Sequence, residues 1–480
     1  MKFDHIVRLM VIISVTGALF GAATAYAAEA SQKGYPRLMQ GPMVGAVSPT
    51  EARIWVRTTG EFPVTIQYDR TADFADFAET APVTPLKSND YTQVITISGL
   101  QPATEYFYRL TTDGIPDRYL KMLRPFRFET APPAGSPADL RVAFGSCPKW
   151  QDDRIQPIWP WVDHYEPDIL FWIGDNVYSD ALDPDIIREE YRRQRDVPAL
   201  QPILHNVSNL AVWDDHDYGL NNHDRTNPIK EGGYEVFREY WANPSYGLPD
   251  VKGVFFAYTW GQVEFFFVDD RWYRDPDEDP DVPGKTMLGP GQLAWLKSGL
   301  ASSEAVFKVV VSGSGFSTEK GIGGDSWAAF INERDELFDF IRDQGISGVV
   351  LMSGDTHIGE LNVIPWSEKG GYDLYDMVSS PLAQVNPDSW LERRPERRIW
   401  PVYFQGSNFG LVEFHMGDDP YLTFQLIDIH GRRVWEPFVL YASELVNGVT
   451  SWPEKVSDIS RQRQENYDAG KGYYEVPVED

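Results

Sequence analysis

With 480 residues, 42% of them hydrophobic and 14% aromatic, the chain has ample material for a core, and its length points to two or three domains. A formal net charge of −28 argues against wrapping of nucleic acid and adsorption to anionic lipid. It also repels phosphate-bearing molecules at long range, so any phosphate chemistry needs local cations. A single cysteine, Cys147, excludes an intramolecular disulfide.

The amino terminus carries Lys2 and Arg8 ahead of the apolar run Leu9 to Phe20, then small residues ending in Ala25-Tyr26-Ala27. This is the pattern of a secretory signal cleaved after Ala27. The run is shorter than the roughly 20 apolar residues of a membrane span. Residues 1–27 are therefore read as a signal peptide, and the mature protein is expected to be periplasmic or extracellular without a stable membrane anchor. No arginine pair precedes the run, which favours the general secretory route. Residues 36–131 show short alternating strands, among them Ala52–Arg57, Val64–Tyr68, Val94–Ile97 and Glu105–Leu110, which predict a small all-β sandwich. Gly99 to Tyr106 has the look of the tyrosine corner of immunoglobulin and fibronectin type III sandwiches. The proline-rich stretch Ala131 to Pro137 marks a boundary.

From 138 to 445 strands alternate with helical stretches, the pattern of an α/β domain. Helices are predicted over Ile186–Arg193, Gln292–Leu300 and Asn332–Asp343, the last stopped by Gly345. The acidic run Asp275 to Asp281 reads as a solvated loop, with weak calcium binding as the alternative. Residues 446–480 read as a polar tail, in loop or partly disordered from about Ser451. Gly313-Ser314-Gly315 and Gly321 to Gly324 lack the spacing of a nucleotide cradle, and Asp325-Ser326-Trp327 reads as a loop over the site. Trp150, Trp161 and Trp272 are candidate pocket walls.

Five apolar runs of strand type end in a side chain that binds metal or moves protons: at Cys147, Asp175, His216, Arg271 and His357. In open α/β sheets the carboxyl ends of strands build ligand sites, so five such endings point to one shared site. A lone free thiol in an oxidising compartment is either fully buried or a thiolate held by a metal. Gly174-Asp175-Asn176-Val177-Tyr178 places a carboxylate and a phenol three residues apart after a strand. Asp214-Asp215-His216-Asp217 adds carboxylates beside an imidazole, and Asp355-Thr356-His357 adds one of each at i, i+2. Together they predict a dinuclear metal site in which Asp175 bridges.

Gly145-Ser146-Cys147, Gly174 to Tyr178, Trp213 to Gly219 and Ser353 to His357, in this order after a small β domain, resemble the alkaline phosphatase D (PhoD-like) family of metallophosphoesterases. Gly174 to Tyr178 also resembles the tyrosinate loop of purple acid phosphatases. The resemblance implies a four-layer αββα sandwich with metals where two sheets meet, and an exported phosphoric ester hydrolase. It implies Fe(III) held by Cys147, Asp175, Tyr178 and His357, and Ca²⁺ or another hard divalent ion held by Asp175, Asp215 and Asp355. Water activated at Fe(III) would attack phosphorus in line. His216 is the candidate for protonating the leaving oxygen or binding the phosphoryl group, its ring oriented by Asp217 or Asp214. Arg271 is either a phosphate clamp or a structural salt bridge to Asp269 or Asp270. His223 and Arg225 are candidate pocket residues, Asn176 a supporting neighbour of the ligands, and Asn408 a further neighbour. Expected substrates are phosphate esters, with a monomer as the expected state. Two alternatives stand beside this: a phospholipase-like phosphodiesterase acting on lipid or wall-polymer diesters, and a non-catalytic calcium- or iron-binding adhesive protein.

Overall fold

A computed structural model describes residues 34–116, 125–317, 325–384 and 397–470. The signal-like segment 1–27, Gly321 to Gly324 and the tail beyond Gly470 lie outside the described residues. Two mixed sheets form the centre. In the first, the parallel strands Leu140–Gly145, Ile169–Ile173 and Ser208–Val212 continue into the antiparallel Asn408–His415, Tyr421–Asp428 and Phe438–Tyr441. In the second, Val263–Phe267, Phe307–Ser312, Val349–Ser353 and Leu374–Val378 run parallel, edged by the antiparallel Phe256–Trp260 on one side and Glu360–Ile364 on the other.

The period-2 alternation of strands decides which side chains join the sheets and which meet helices. Phe171 points between the sheets and meets Phe265 and Phe267 edge-on, both at 4.8 Å between ring centres. Its neighbour Trp172 points outward onto Trp159 and Trp241, and Phe266 likewise turns outward onto Trp295 of helix Gly289–Ser302. Both faces of each strand are thus covered, which is why these segments read as continuous apolar runs. Helices outside and sheets inside give the αββα layering expected.

The amino-terminal region is all-β, with sheets Leu38–Val47, Glu51–Thr58, Thr92–Ser98 and Val64–Asp69, Glu105–Thr112, Phe126–Glu129 as their main strands. The Tyr106 hydroxyl accepts from Gln101 N at 3.0 Å, the hydrogen bond of a tyrosine corner. The strand Leu38–Val47 escaped prediction because Gly41, Pro42 and Gly45 interrupt its pattern. Gly45 is required there: a Cβ would lie 2.3 Å from that of Ala242.

The polar tail differs from expectation. Trp452–Lys455 and Asp458–Asp468 are helical. They dock through polar and apolar groups: Asp373 accepts from Ser451 N and Trp452 N, Ser457 N donates to Ile399 O, and Trp452 and Val456 pack against the core. The acidic run is also not a free loop. Asp277 pairs with Arg274, Asp275 with Arg225, and Lys285 donates to the carbonyls of Asp277 and Asp279.

His205 joins the two regions. Its Nδ1 donates to Pro42 O at 2.7 Å, its carbonyl accepts from the Tyr108 hydroxyl, and the Phe126 ring lies 4.7 Å away. Burial drives its pKa down to about 4, outweighing the Pro42 hydrogen bond. The folded state therefore resists a proton that the unfolded state accepts below about 6.5. Stability is full above that pH and falls as pH drops toward 4, by about 3 kcal/mol in total. Urea unfolding of wild type and His205→Gln at pH 7.5 and 5 checks this; an unchanged pH slope in the variant would refute it.

Candidate metal centre

All five strand endings converge at the carboxyl edge where the sheets face each other, Arg271 through its pairs with Asp214 and Asp215. Sharp turns aim them. Cys147, Asp175, Asp355 and His357 all have left-handed backbone, with φ of 60°, 50°, 63° and 56°. Each such non-glycine residue costs on the order of 1–3 kcal/mol and recurs at functional sites. Glycines let the turns approach one another: a Cβ on Gly174 would meet that of Asp214 at 2.7 Å, and one on Gly354 would meet Ile173 O and Ser146 Cβ at 2.7 Å.

One centre gathers around Asp175 Oδ2. The Tyr178 hydroxyl lies 3.2 Å from it, Cys147 Sγ 3.5 Å, and His357 Nε2 3.1 Å from the Tyr178 hydroxyl. Cys147, Asp175 and His357 each place a ligand atom within 4.8 Å of the others. Cys147 is thus both buried and beside the site, with Ser146 and Ser380 hydroxyls 3.2 and 3.3 Å from its sulfur. Burial pushes the Cys147 thiol and the Tyr178 phenol far up, and Asp175 adds to both. Burial also raises Asp175, with Asp215 adding and His216 offsetting. Held neutral by burial, these acids would ionise together only beside a cation.

The second set differs in detail from Asp175, Asp215 and Asp355. Asp175 and Asp355 close on Asp214, whereas Asp215 closes on Asp175 and His216; Asp214, Asp215 and Asp325 form another group. Asp214 Oδ2, Asp215 Oδ1 and Asn176 Oδ1 are buried without a hydrogen-bond partner. Orphaned oxygens of this kind fit hard cations. Asn176 holds its loop by donating from its side chain to Val212 O and from its backbone to Asp217.

The His216 ring lies tilted against Tyr178, 4.1 Å between centres, and its Nδ1 lies 2.6 Å from Asp180 Oδ1, which orients it in place of the expected Asp217 or Asp214. Asp217 is occupied by Asn176 and the Tyr191 hydroxyl. Burial opposes charge on His216, but Asp175, Asp215 and Asp180 together push its pKa up to about 10.

Arg271 is corrected most. It is 0% exposed and enclosed by carboxylates: both edges of Asp325 at 2.9 and 2.7 Å, a close pair with Asp214, and Asp270 and Asp215 at 3.8 and 3.9 Å. No face is left for a phosphate. Its salt-bridge reading holds, though with Asp214 and Asp325 in place of Asp269, which instead accepts from Val254 N and Trp213 Nε1. Arg225 turns to Asp275 and Asn408 to Ser379 and Ser380, while His223 accepts from Leu220 N. Trp272 is buried on Trp213, so it does not wall a pocket. Gln384 went unnoticed in the sequence, yet its Nε2 touches the Tyr178 hydroxyl at 3.1 Å and His357 Nε2. A paired run brings it there: Leu382 N and Ala383 N donate to the carbonyls of Ser146 and Cys147.

Two facing mixed sheets with clustered metal-binding side chains at their shared carboxyl edge define a metallophosphoesterase-type α/β protein. The profile of the PhoD-like phosphatase family matches residues 142–392, and that of the PhoD-like phosphatase N-terminal domain matches residues 22–123. The chain belongs to the PhoD-like phosphatase family. It is 23% identical over 310 residues to alkaline phosphatase D of Bacillus subtilis (strain 168), a match covering 54% of this chain and 52% of that one. The chain thus spans about half the length of that relative. A solved structure of PhoD superposes with a TM-score of 0.69 at 16% identity, over 91% of this chain and 100% of that one. Purple acid phosphatase PPD1 from yellow lupin (Lupinus luteus) seeds does so with a TM-score of 0.59 at 13% identity, over 88% and 75%. These likenesses establish the fold.

Proposed function

We propose that the chain is an exported, metal-dependent phosphoesterase that hydrolyses organic phosphate esters. The observation that carries this is the convergence of Cys147, Asp175 and His357 ligand atoms, with the Tyr178 hydroxyl, on one edge shared with Asp214, Asp215 and Asp355. Cys147, Asp175, Tyr178 and His357 would hold Fe(III), for which phenolate, carboxylate and thiolate are suited donors. Asp175 with Asp214, Asp215 and Asp355 would hold Ca²⁺ or a similar ion. When bound, such ions acidify water and neutralise phosphoryl charge.

The protein's own groups do the rest. His216, oriented by Asp180 at its Nδ1, is placed to hand a proton to the departing ester oxygen. Arg271 holds Asp214 and Asp325 in place, and Asn176 fixes the turn carrying Asp175. Export rests on the leader pattern of residues 1–27.

Protein purified without chelators is expected to contain iron and to show a visible charge-transfer band that both Tyr178→Phe and Cys147→Ser alter. A colourless, iron-free yet active protein would remove the iron assignment. Rates on a nitrophenyl monoester, its bis-ester and phosphatidylcholine separate a general phosphoesterase from a phospholipase-like one. Failure on all three by metal-replete protein would favour a binding protein.

A further inference from the structure

With Arg271 wholly enclosed, an anionic substrate approaching a chain of net charge −28 finds no guanidinium among the described residues of the site to meet it. We propose that Lys149 meets it instead, its ammonium binding the non-bridging phosphoryl oxygens of the ester; this rests on the phosphoesterase reading above.

Lys149 follows Cys147 by two residues, and its main chain is pinned: its N donates to Ala383 O at 2.9 Å, and its carbonyl accepts from Asp152 N and Asp153 N, both at 3.1 Å. The next turn is tied to the tyrosine loop, because Gln151 Nε2 donates to Tyr178 O at 2.9 Å. From this fixed base the side chain reaches over the Tyr178 ring, with Nζ 5.0 Å from the ring centre, while the His216 ring lies tilted against the same tyrosine. The tyrosine of the candidate metal centre therefore has one cationic side chain and one titratable ring against it.

The ammonium is available. Its ion-pair partner among the described residues is Asp152 at 3.7 Å, and both side chains are 30% exposed. Such a long, wet pair contributes little and yields readily to a better anion. Other basic side chains have partners of their own: Arg193 pairs with Glu189 and Glu190, Arg154 lies over the face of Trp150, and Arg225 pairs with Asp275. Gln384 Nε2, at the Tyr178 hydroxyl, adds a neutral donor to the same rim. Attraction to a point charge grows with the charge of the ligand, so Lys149 favours a monoester dianion over a diester monoanion.

The test uses full-length, metal-replete Lys149→Met, which keeps an apolar stem over Tyr178, and Lys149→Arg, which keeps the charge. KM and kcat are measured on p-nitrophenyl phosphate and bis(p-nitrophenyl) phosphate, and inorganic phosphate binding by equilibrium dialysis. Lys149→Met is expected to raise the monoester KM and the phosphate Kd about tenfold or more, with a smaller rise for the bis-ester and the visible spectrum unchanged. Lys149→Arg should recover most of the loss. Unchanged KM and phosphate affinity in Lys149→Met, or equal losses in both variants, would overturn the assignment. If wild type hydrolyses neither ester, the phosphoesterase reading fails, and the phosphate-binding comparison still decides Lys149.

Discussion

Asp175→Asn is expected to lower ester hydrolysis about a thousandfold or more, beyond the 10–100-fold typical of groups that only orient metal ligands. Asp175 belongs to three of the candidate ligand groups, so one change weakens both proposed ion positions. Asparagine suits the test because it tolerates the left-handed backbone at this position, whereas alanine would add strain. Stability should move the other way. Asp175 is buried beside Asp215 and Asp355, and without a cation its charge is unfavourable, as its raised pKa reflects. Chelator-treated Asp175→Asn should therefore be at least as stable as chelator-treated wild type, while the untreated variant loses the stabilisation that bound metal gives wild type. Metal content, hydrolysis rate and thermal unfolding with and without chelator are the measurements. Near-wild-type metal content and rate would show that Asp175 is not shared between ions.

Local pattern made part of this site legible and burial hid the rest. Asp175 and Tyr178 could be read because a fully apolar strand, Ile169–Ile173, fixes where the turn begins and three residues bring the side chains together. The same holds for Asp355 and His357 after Val349–Ser353. Asp180 and Gln384 lie in irregular segments without periodicity, and only the three-dimensional pairing of Pro148 with Ala383 brings Gln384 to the phenol. Arg271 was correctly placed at a strand end, but sequence does not tell whether a guanidinium faces solvent or carboxylates. Asp325, fifty-four residues on, is what closes it in. The tail misled for a related reason: helix Asp458–Asp468 has low hydropathy and the residues that anchor the tail, Ser451, Trp452 and Ser457, precede it, so it carries no apolar stripe to betray burial.

Arg271→Met should cost about 3–5 kcal/mol of stability, the loss typical when one partner of a buried ion pair is removed. Asp214 and Asp270 are fully buried and Asp325 nearly so, and each would be left with a charge that its surroundings no longer balance. Arg274 offsets part of this, since it also reaches Asp325 at 2.8 Å. Lysine should rescue poorly, because one ammonium cannot replace a fork that engages Asp325 bidentately and Asp214 at once. Adding Asp325→Asn to Arg271→Met should return part of the loss, a non-additivity that marks direct coupling. Urea unfolding of wild type, Arg271→Met, Asp325→Asn, the double variant and Arg271→Lys measures these terms, and KM on a nitrophenyl monoester reports on substrate. Were Arg271→Met to unfold like wild type while its KM rose tenfold, the guanidinium would be a substrate clamp after all. A large stability loss restored in part by Asp325→Asn would instead make Arg271 the internal counterion that lets so many carboxylates share one sheet edge.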